Sequence, residues 1–404
     1  MNNRLQFVVA ALSTCVAGLL LFGALYGQSS SADEPYRHIA VFTEVLSRIK
    51  SDYVEEPDVK GVTLGAINGL LESIDPYASY LNAEQYKQYL KTKDTAKGDT
   101  GLVLSRRFGY VGVVAALPGS PAAKAGLSTG DVIEAINNVA TRDMPLAFAE
   151  MLMKGEPGTT VKLQVLRLRR TEPQDITLIR AAVPLPPVTS KMLPEQVGLV
   201  EVSALSGNRL KEVASKVEEL QKQGAKKLIL DLRFCATGSP EDGVKLANYF
   251  MGEGLIAYVQ GQKVSRQDYT AASSHQISKL PLAVLVNRGT AGAAEVAAAA
   301  LLDSKRATVV GERTYGDAAQ RRALTMEDGS AIILSVAKYY SPSGKAIQDN
   351  GVTPSVLESE TDLTPDADEE NLPAQPEPAP KPGEDKILKK AIEVLTAGRM
   401  QAAA

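Results

Sequence analysis

The chain contains no tryptophan and only seven phenylalanines in 404 residues. Successive bases of a single strand stack on aromatic platforms, and this sequence has little from which to build one. It also lacks a basic excess: 44 Lys and Arg stand against 47 Asp and Glu, a formal net charge of −3. Neutralising phosphates takes clustered cations, so the balance argues against nucleic acid as a partner. The two histidines, His38 and His275, have no companion at ligand spacing, which argues against zinc. No metal or cofactor is expected. The two cysteines, Cys15 and Cys235, lie far apart with the first inside an apolar run, so no disulfide is expected even in an oxidising compartment.

One long apolar run is present. Residues 7–26, FVVAALSTCVAGLLLFGALY, follow Arg4 and carry no charge; about 20 such residues span a hydrocarbon core. An export signal has a shorter apolar stretch, about 7 to 15 residues, and a small-residue cleavage site. No clean site follows here. Residues 1–30 therefore read as a retained anchor with the body outside the cytoplasm, in preference to a cleaved signal and a secreted body. Cys15 follows Thr14 with most of the apolar run behind it, and so reads as a thiol within the membrane segment, not a lipid attachment site.

A length of 404 residues accommodates two or three domains. From residue 37 to 54, Ile39, Phe42, Val45, Leu46 and Ile49 recur at helical spacing. A second helix from about Thr63 ends before DPYASY, where Asp75-Pro76 signals a turn; residues 37–96 read as a helical N-terminal region. Residues 97–172 change to short β-branched runs, GYVGVVAAL, DVIEAINN and GTTVKLQVLRL, separated by Gly and Pro, as in a compact β domain. Residues 173–357 alternate strands, such as KKLILDLR and LAVLVN, with helices at about 206–222, 240–251 and from Ala293. That is the pattern of a parallel α/β layer. Residues 358–385 carry seven acids and no base between Glu358 and Glu370, then PAQPEPAPKPGED, the composition of a disordered linker. Beyond it, residues 386–400 place Ile387, Leu388, Ala391, Ile392 and Leu395 on one helical face, suited to docking on the body or on a partner.

The strings GLVL, GSPAAKAGLSTGDVIEAINNVA and GEPGTTVKLQVLR in residues 97–172 resemble a PDZ domain. In such a domain a peptide adds as a strand to a sheet edge, and backbone N–H groups hold its terminal carboxylate. The resemblance places that loop and strand at Gly101, Leu102, Val103 and Leu104. The residue types agree, since Gly101 allows close backbone approach and Leu102 and Leu104 can line an apolar pocket. The bland alternative is a glycine turn followed by a core strand.

The rest of the body resembles the C-terminal processing peptidases, also called tail-specific proteases. IKSDYVEEPD, LLESIDPYASYL, LILDLR, VLVNRGTAGAAEVAAAALLDSKRATVVGERTYGDAAQ and KYYSPSGKAIQDNGVTP match that family in order across residues 40–357. The resemblance implies a multidomain α/β protein: a helical N-terminal region, a PDZ-like β domain and an α/β core of the ClpP/crotonase type. It also implies a Ser nucleophile with a Lys general base, helped by a Gln. A hydroxyl needs such a base at neutral pH, and a desolvated Lys supplies one.

Aligned on Glu295, the family's S-A-S-A-S-E run falls on Thr290 to Ala294, putting the nucleophile position at Gly292. The family's T-F-G-K-G reads Thr314, Tyr315, Gly316, Asp317, Ala318, so the base position holds Asp317. Gln320 matches the family Gln. The oxyanion strand end, D-L-R-N-N-P-G-G in the family, reads Asp231 to Gly238, with Thr237 and Gly238 at its close. The loss of a Gly and the Pro leaves backbone donors less suitably aimed at a developing oxyanion.

Other nucleophiles are available in principle. Ser304 lies twelve residues beyond Gly292, about 18 Å along a helix and too far. Thr290 has only Asp317 as a nearby base, a poor proton acceptor. Cys235 is the better rescue because thiolates are strong nucleophiles, although no base stands beside it in the sequence. The leading reading is a pseudopeptidase that binds polypeptide C-termini through its PDZ domain as an adaptor or regulator, through self-association or by pairing with an active relative. The alternatives are an active endopeptidase using Cys235 or Thr290, and a scaffold with an empty groove.

Overall fold

The computed structural model describes residues 33–107, 109–142, 144–167, 170–359 and 385–401. The apolar run at 7–26 and nearly all of the acidic, Pro-rich segment lie outside the described residues. No described helix is long and apolar enough to cross a membrane.

The chain forms two compact units that divide after Ala66. The first contains helix α1 (Asp33–Asp52) and the start of α2 (Val59–Ile74). Three of the positions read as an apolar face, Ile39, Phe42 and Val45, are about half exposed, at 58%, 48% and 52%. The Asp58 carboxylate accepts the Gly61 N–H at 3.1 Å, satisfying one of the free donors in the first turn of α2.

The second unit opens with a departure from the expected all-helical stretch up to residue 96. DPYASY is more than a turn, because Ser79–Leu81 form strand β1, followed by helix α3 (Ala83–Thr95). Asn82 caps α3, its side chain accepting from Gln85 N at 2.9 Å while Gln85 Oε1 accepts from Asn82 N at 3.1 Å. This reciprocal pair satisfies two backbone donors together.

A five-stranded antiparallel sheet follows, built of β2 (Leu102–Arg107), β3 (Tyr110–Ala116), β4 (Val132–Ile136), β6 (Thr160–Leu166) and β7 (Gln174–Ile179), in that spatial order. A short β5 (Val139–Ala140) pairs with β4, α4 (Pro121–Lys124) follows β3, and α5 (Leu146–Met153) follows β5. Strand β6 alternates strictly: Val161, Leu163 and Val165 are buried between exposed neighbours, as expected for a sheet with one solvated face. The sheet runs on to Ile179, beyond the expected boundary at residue 172, because β7 pairs with β6 along its whole length.

The core domain is a six-stranded sheet with the order β17-β14-β13-β10-β9-β8. Its strands are β8 (Thr189–Leu193), β9 (Val197–Glu201), β10 (Lys227–Asp231), β13 (Leu282–Val286), β14 (Thr308–Gly311) and β17 (Val356–Leu357). All pairings are parallel except β8 with β9. KLILD and LAVLV are buried at every position, the signature of strands covered on both faces. On one face pack α6 (Arg209–Lys222), α7 (Pro240–Asn248) and α8 (Ala293–Asp303), through Val213, Val217, Leu246 and the alanines of α8. The other face is covered by α9 (Lys386–Gln401), whose Ile387 and Ala391 are fully buried against Leu199, Ile229, Leu285 and Val310. Burying an aliphatic side chain such as Ile387 contributes about 1.5–3 kcal/mol.

A second, antiparallel sheet was not foreseen. It comprises β1, β11 (Leu255–Gln260), β12 (Gln267–Thr270), β15 (Ala319–Thr325) and β16 (Ala331–Tyr340), with β1 pairing Ser79 to Ile333 and Leu81 to Ala331. Asp75 anchors this junction: one carboxylate oxygen accepts Tyr77 N at 3.0 Å and the other Ser335 N at 2.9 Å.

Candidate functional site

Strand β13 ends at Val286 and the chain turns into α8 through Asn287 to Gly292. The Asn287 side-chain oxygen accepts Phe234 N at 3.0 Å and Gly289 N at 3.1 Å. The Thr290 hydroxyl donates to the Leu232 carbonyl at 2.9 Å and accepts Asn287 N at 3.0 Å. The turn is thus stitched to the end of β10. Gly292 then caps α8 with φ 63° and ψ −120°, a sharp strand-to-helix turn of the kind that lifts a nucleophile out of a sheet. A Cβ placed there would lie 3.6 Å from the Asp317 carbonyl and meet nothing closer. Space for a side chain exists, but the positive φ is strained for any residue other than glycine.

The family's base position sits directly beside this cap, and Glu295 holds the two together. Its fully buried carboxylate accepts the N–H of Gly292 (3.0 Å), Gly316 (2.7 Å) and Asp317 (2.8 Å), together with the Thr314 hydroxyl. Burial pushes the Glu295 carboxyl up to about 7, with these donors acting against the shift. Sequence reasoning used Glu295 only as an alignment anchor and missed its role; the signal was a Glu three residues into the helix, where capping boxes form.

The Asp317 side chain pairs with Arg321. The Arg321 guanidinium lies 4.3 Å from the centre of the Tyr77 ring, and the Tyr77 hydroxyl reaches the Gly316 carbonyl at 3.4 Å. Burial alone would lower the Arg321 pKa; Asp317 outweighs it and raises the value. Gln320 is exposed at the start of β15, opposite Ala337.

The surroundings of the two rescue nucleophiles weigh against either acting as one. Cys235 is fully buried, and burial pushes its thiol up to about 12 against a hydrogen bond from the Thr237 backbone. A reactive cysteine needs the opposite environment. Thr290 is equally buried, and its hydroxyl is spent on the turn just described. The stretch expected to carry the oxyanion donors is closely packed. The Thr237 carbonyl accepts Leu205 N at 3.1 Å, the Thr237 hydroxyl is buried with no partner among the described residues, and Gly238 (φ 116°) packs against Leu205 and Ala293.

In the β domain, β2 is an edge strand, and α5 lies along it. Leu104 is buried with Leu146, Ala149 and Met153, while Leu102 and Val103 are half buried. An added strand has an open edge and an apolar floor there. Gly101 departs from its assigned role: its N–H donates to Asp99 Oδ1 at 2.9 Å, so it is not free for a carboxylate. It remains indispensable for shape, with φ 80° and a site where a Cβ would approach Ser120 Cβ to 2.2 Å.

The core and the β domain each match a known family: Peptidase family S41 over residues 196–357, and a PDZ domain over residues 112–167. The carboxy-terminal processing protease CtpA of Bacillus subtilis is 32% identical over 359 residues, covering 87% of this chain and 76% of that protein. The chain belongs to the C-terminal processing peptidases of family S41. A carboxyl-terminal-processing protease of Synechocystis is 35% identical over 314 residues, covering 76% of this family member and 73% of the relative. Among solved structures, a photosystem II D1 C-terminal processing protease superposes with a TM-score of 0.65 at 28% identity, over 79% of this chain and 92% of the other. The S41 member thus has the expected architecture of helical N-terminal region, PDZ domain and α/β peptidase core.

Proposed function

We propose that this S41-family protein does not hydrolyse peptides and acts by binding polypeptide C-termini through its PDZ domain. One observation carries the reading: the nucleophile and base positions stand side by side as Gly292 and Asp317, with no hydroxyl at the first and a carboxylate committed to Arg321 at the second. Acyl transfer requires a nucleophile with a base in hydrogen-bond reach. The burial of Cys235 and Thr290 supports the reading by disfavouring the two substitutes considered. The relatives are named as proteases, so the reading rests on the residues of this chain and not on theirs. The free edge of β2 beside α5 supports peptide capture.

In this role the protein is an adaptor or regulator anchored outside the cytoplasm through residues 7–26. The exposed Ile39, Phe42 and Val45 of α1 offer a helical face for self-association or for an active relative. The test is a mass-spectrometric time course of the full chain with an unstructured protein, beside the Gly292→Ser/Asp317→Lys variant. A parallel titration uses a peptide with a free C-terminus and its amide. We expect no new termini from the native chain and tighter binding of the free acid. Cleavage by the native chain, or equal affinity for acid and amide, would overturn the corresponding half of the reading.

A further inference from the structure

A recess lies at the end of the parallel sheet opposite Gly292. The strand ends near Gly292 and Gly238 are the carboxyl ends, whereas the recess of about 600 Å³ opens at the amino ends of β10, β13 and β14, roofed by α9. Pockets of that size hold small molecules. Its walls are of two kinds. Leu282, Leu302, Val394 and Leu395 supply apolar surface, and Lys226, Lys227, Lys305 and Arg306 supply four cations.

These cations have few counter-ions. Lys227 is buried, and its nearest carboxylate, Glu195, stands 3.8 Å away with a largely exposed side chain. Arg306 donates Nε to the Phe250 carbonyl at 2.7 Å and Nη2 to the carbonyls of Leu280 (2.8 Å) and Ser278 (3.2 Å). Those acceptors are neutral, so they satisfy hydrogen bonds without cancelling charge. Among the described residues, Arg306, Lys226 and Lys305 form no ion pair. Positive charge held beside apolar walls, with one lysine buried and one arginine half buried, favours an anion that brings its own apolar body.

We infer that this recess is a binding site for an anionic amphiphile, with a phosphate- or carboxylate-type head on Lys226, Lys227, Lys305 and Arg306 and a short alkyl body against Leu282, Leu302 and Leu395. The site is remote from the peptidase cleft and independent of whether the protein cleaves peptides. A ligand that binds only the folded protein raises its melting temperature.

The probe is monooctyl phosphate below its micellar concentration, titrated calorimetrically into the full chain. Octanol and inorganic phosphate are the comparators, and vesicles with and without phosphatidic acid form a separate sedimentation arm. We expect saturable one-to-one binding of octyl phosphate, a raised melting temperature, and affinities at least ten-fold weaker for both comparators. Lys226→Ala/Lys305→Ala should weaken binding at least ten-fold; both side chains are at the surface, so folding is retained and circular dichroism should not change. Leu395→Asn should weaken octyl phosphate more than phosphate. Sedimentation with phosphatidic acid vesicles, lost in the double lysine variant, would assign the head group to a bilayer lipid. Soluble binding without sedimentation would assign it to a free amphiphile. No saturable binding, equal binding of octanol, equal binding of phosphate, or an unchanged affinity in the lysine variant would each overturn the inference.

Discussion

Asp385 and Arg233 meet in a two-pronged ion pair, Oδ1 to Nη1 at 3.0 Å and Oδ2 to Nη2 at 2.8 Å. This pair joins the residue before α9 to the chain just past β10, and Asp231 holds the same guanidinium from the other side at 2.6 Å. The C-terminal helix is thereby fastened to the segment that leads into the oxyanion region.

Asp385→Asn should loosen that fastening. Because the Asp385 side chain is partly exposed, the loss of global stability should be only about 1 kcal/mol, while hydrogen exchange in α9 should accelerate clearly. Burial raises the Asp385 pKa, but the bonds from Arg233 outweigh it and the net shift is downward. Stability from this group is therefore present above the ordinary carboxylate pKa and is lost as pH falls through the lowered folded value. Corrected for the intrinsic pH dependence of amide exchange, protection in α9 should fall at acid pH in the native chain and depend less on pH in Asp385→Asn. An unaltered exchange pattern in the variant would show that Ile387 and Ala391 suffice to hold the helix.

Glu295→Ala should be among the most damaging single changes in the core domain. It strands three backbone donors and the Thr314 hydroxyl without an acceptor, and each buried unsatisfied group costs about 1–3 kcal/mol. Urea unfolding should show a loss of about 3 kcal/mol or more. Glu295→Gln keeps one acceptor and should lose less. A loss below about 1 kcal/mol for Glu295→Ala would mean that water replaces the carboxylate.

Cys235 should resist alkylation in the native state. In a Cys15→Ser background, iodoacetamide at pH 8 should label Cys235 only after denaturation, since burial pushes the thiol up to about 12. The thiolate fraction grows as pH approaches that value, so any native labelling should increase with pH. Rapid native labelling near neutral pH would reopen the thiol as a nucleophile.

Gly101→Ala should impair both folding and peptide capture. The residue has φ 80°, and an added Cβ would press on Ser120, a strain of about 1–3 kcal/mol before any clash is counted. Chemical denaturation gives the stability, and titration with a free-acid peptide gives the binding. Native-like behaviour in both would show that the 99–101 turn can shift without consequence.

Local pattern carried much of this architecture. The alternation in Thr160–Leu166, the unbroken apolar runs of Lys227–Asp231 and Leu282–Val286, and the apolar face of Ile387, Ala391 and Ile392 each announce how many of their sides are covered. Family likeness pointed to Gly292 and Asp317, whose backbone N–H groups both donate to the Glu295 carboxylate. What sequence did not show depends on partners distant along the chain. Ser79–Leu81 become a strand only because Ala331–Ile333 lie beside them. Thr290 and Cys235 have the chemistry of nucleophiles, and only three-dimensional packing reveals that one is a turn fastener and the other a core residue. Asp317 looked available as a weak base until Arg321, four residues later on the next strand, claimed it.

The pairing of β1 with β16 also fixes an order of events as the chain is made. Ser79–Leu81 leave the ribosome some 250 residues before their partner Ala331–Ile333. Every strand of the PDZ sheet lies between Leu102 and Ile179, so that sheet can finish while β1 still waits. The antiparallel sheet then closes across a domain already folded, and a chain that stops before Ala331 keeps β1 as an unsatisfied edge, open to whatever strand reaches it first.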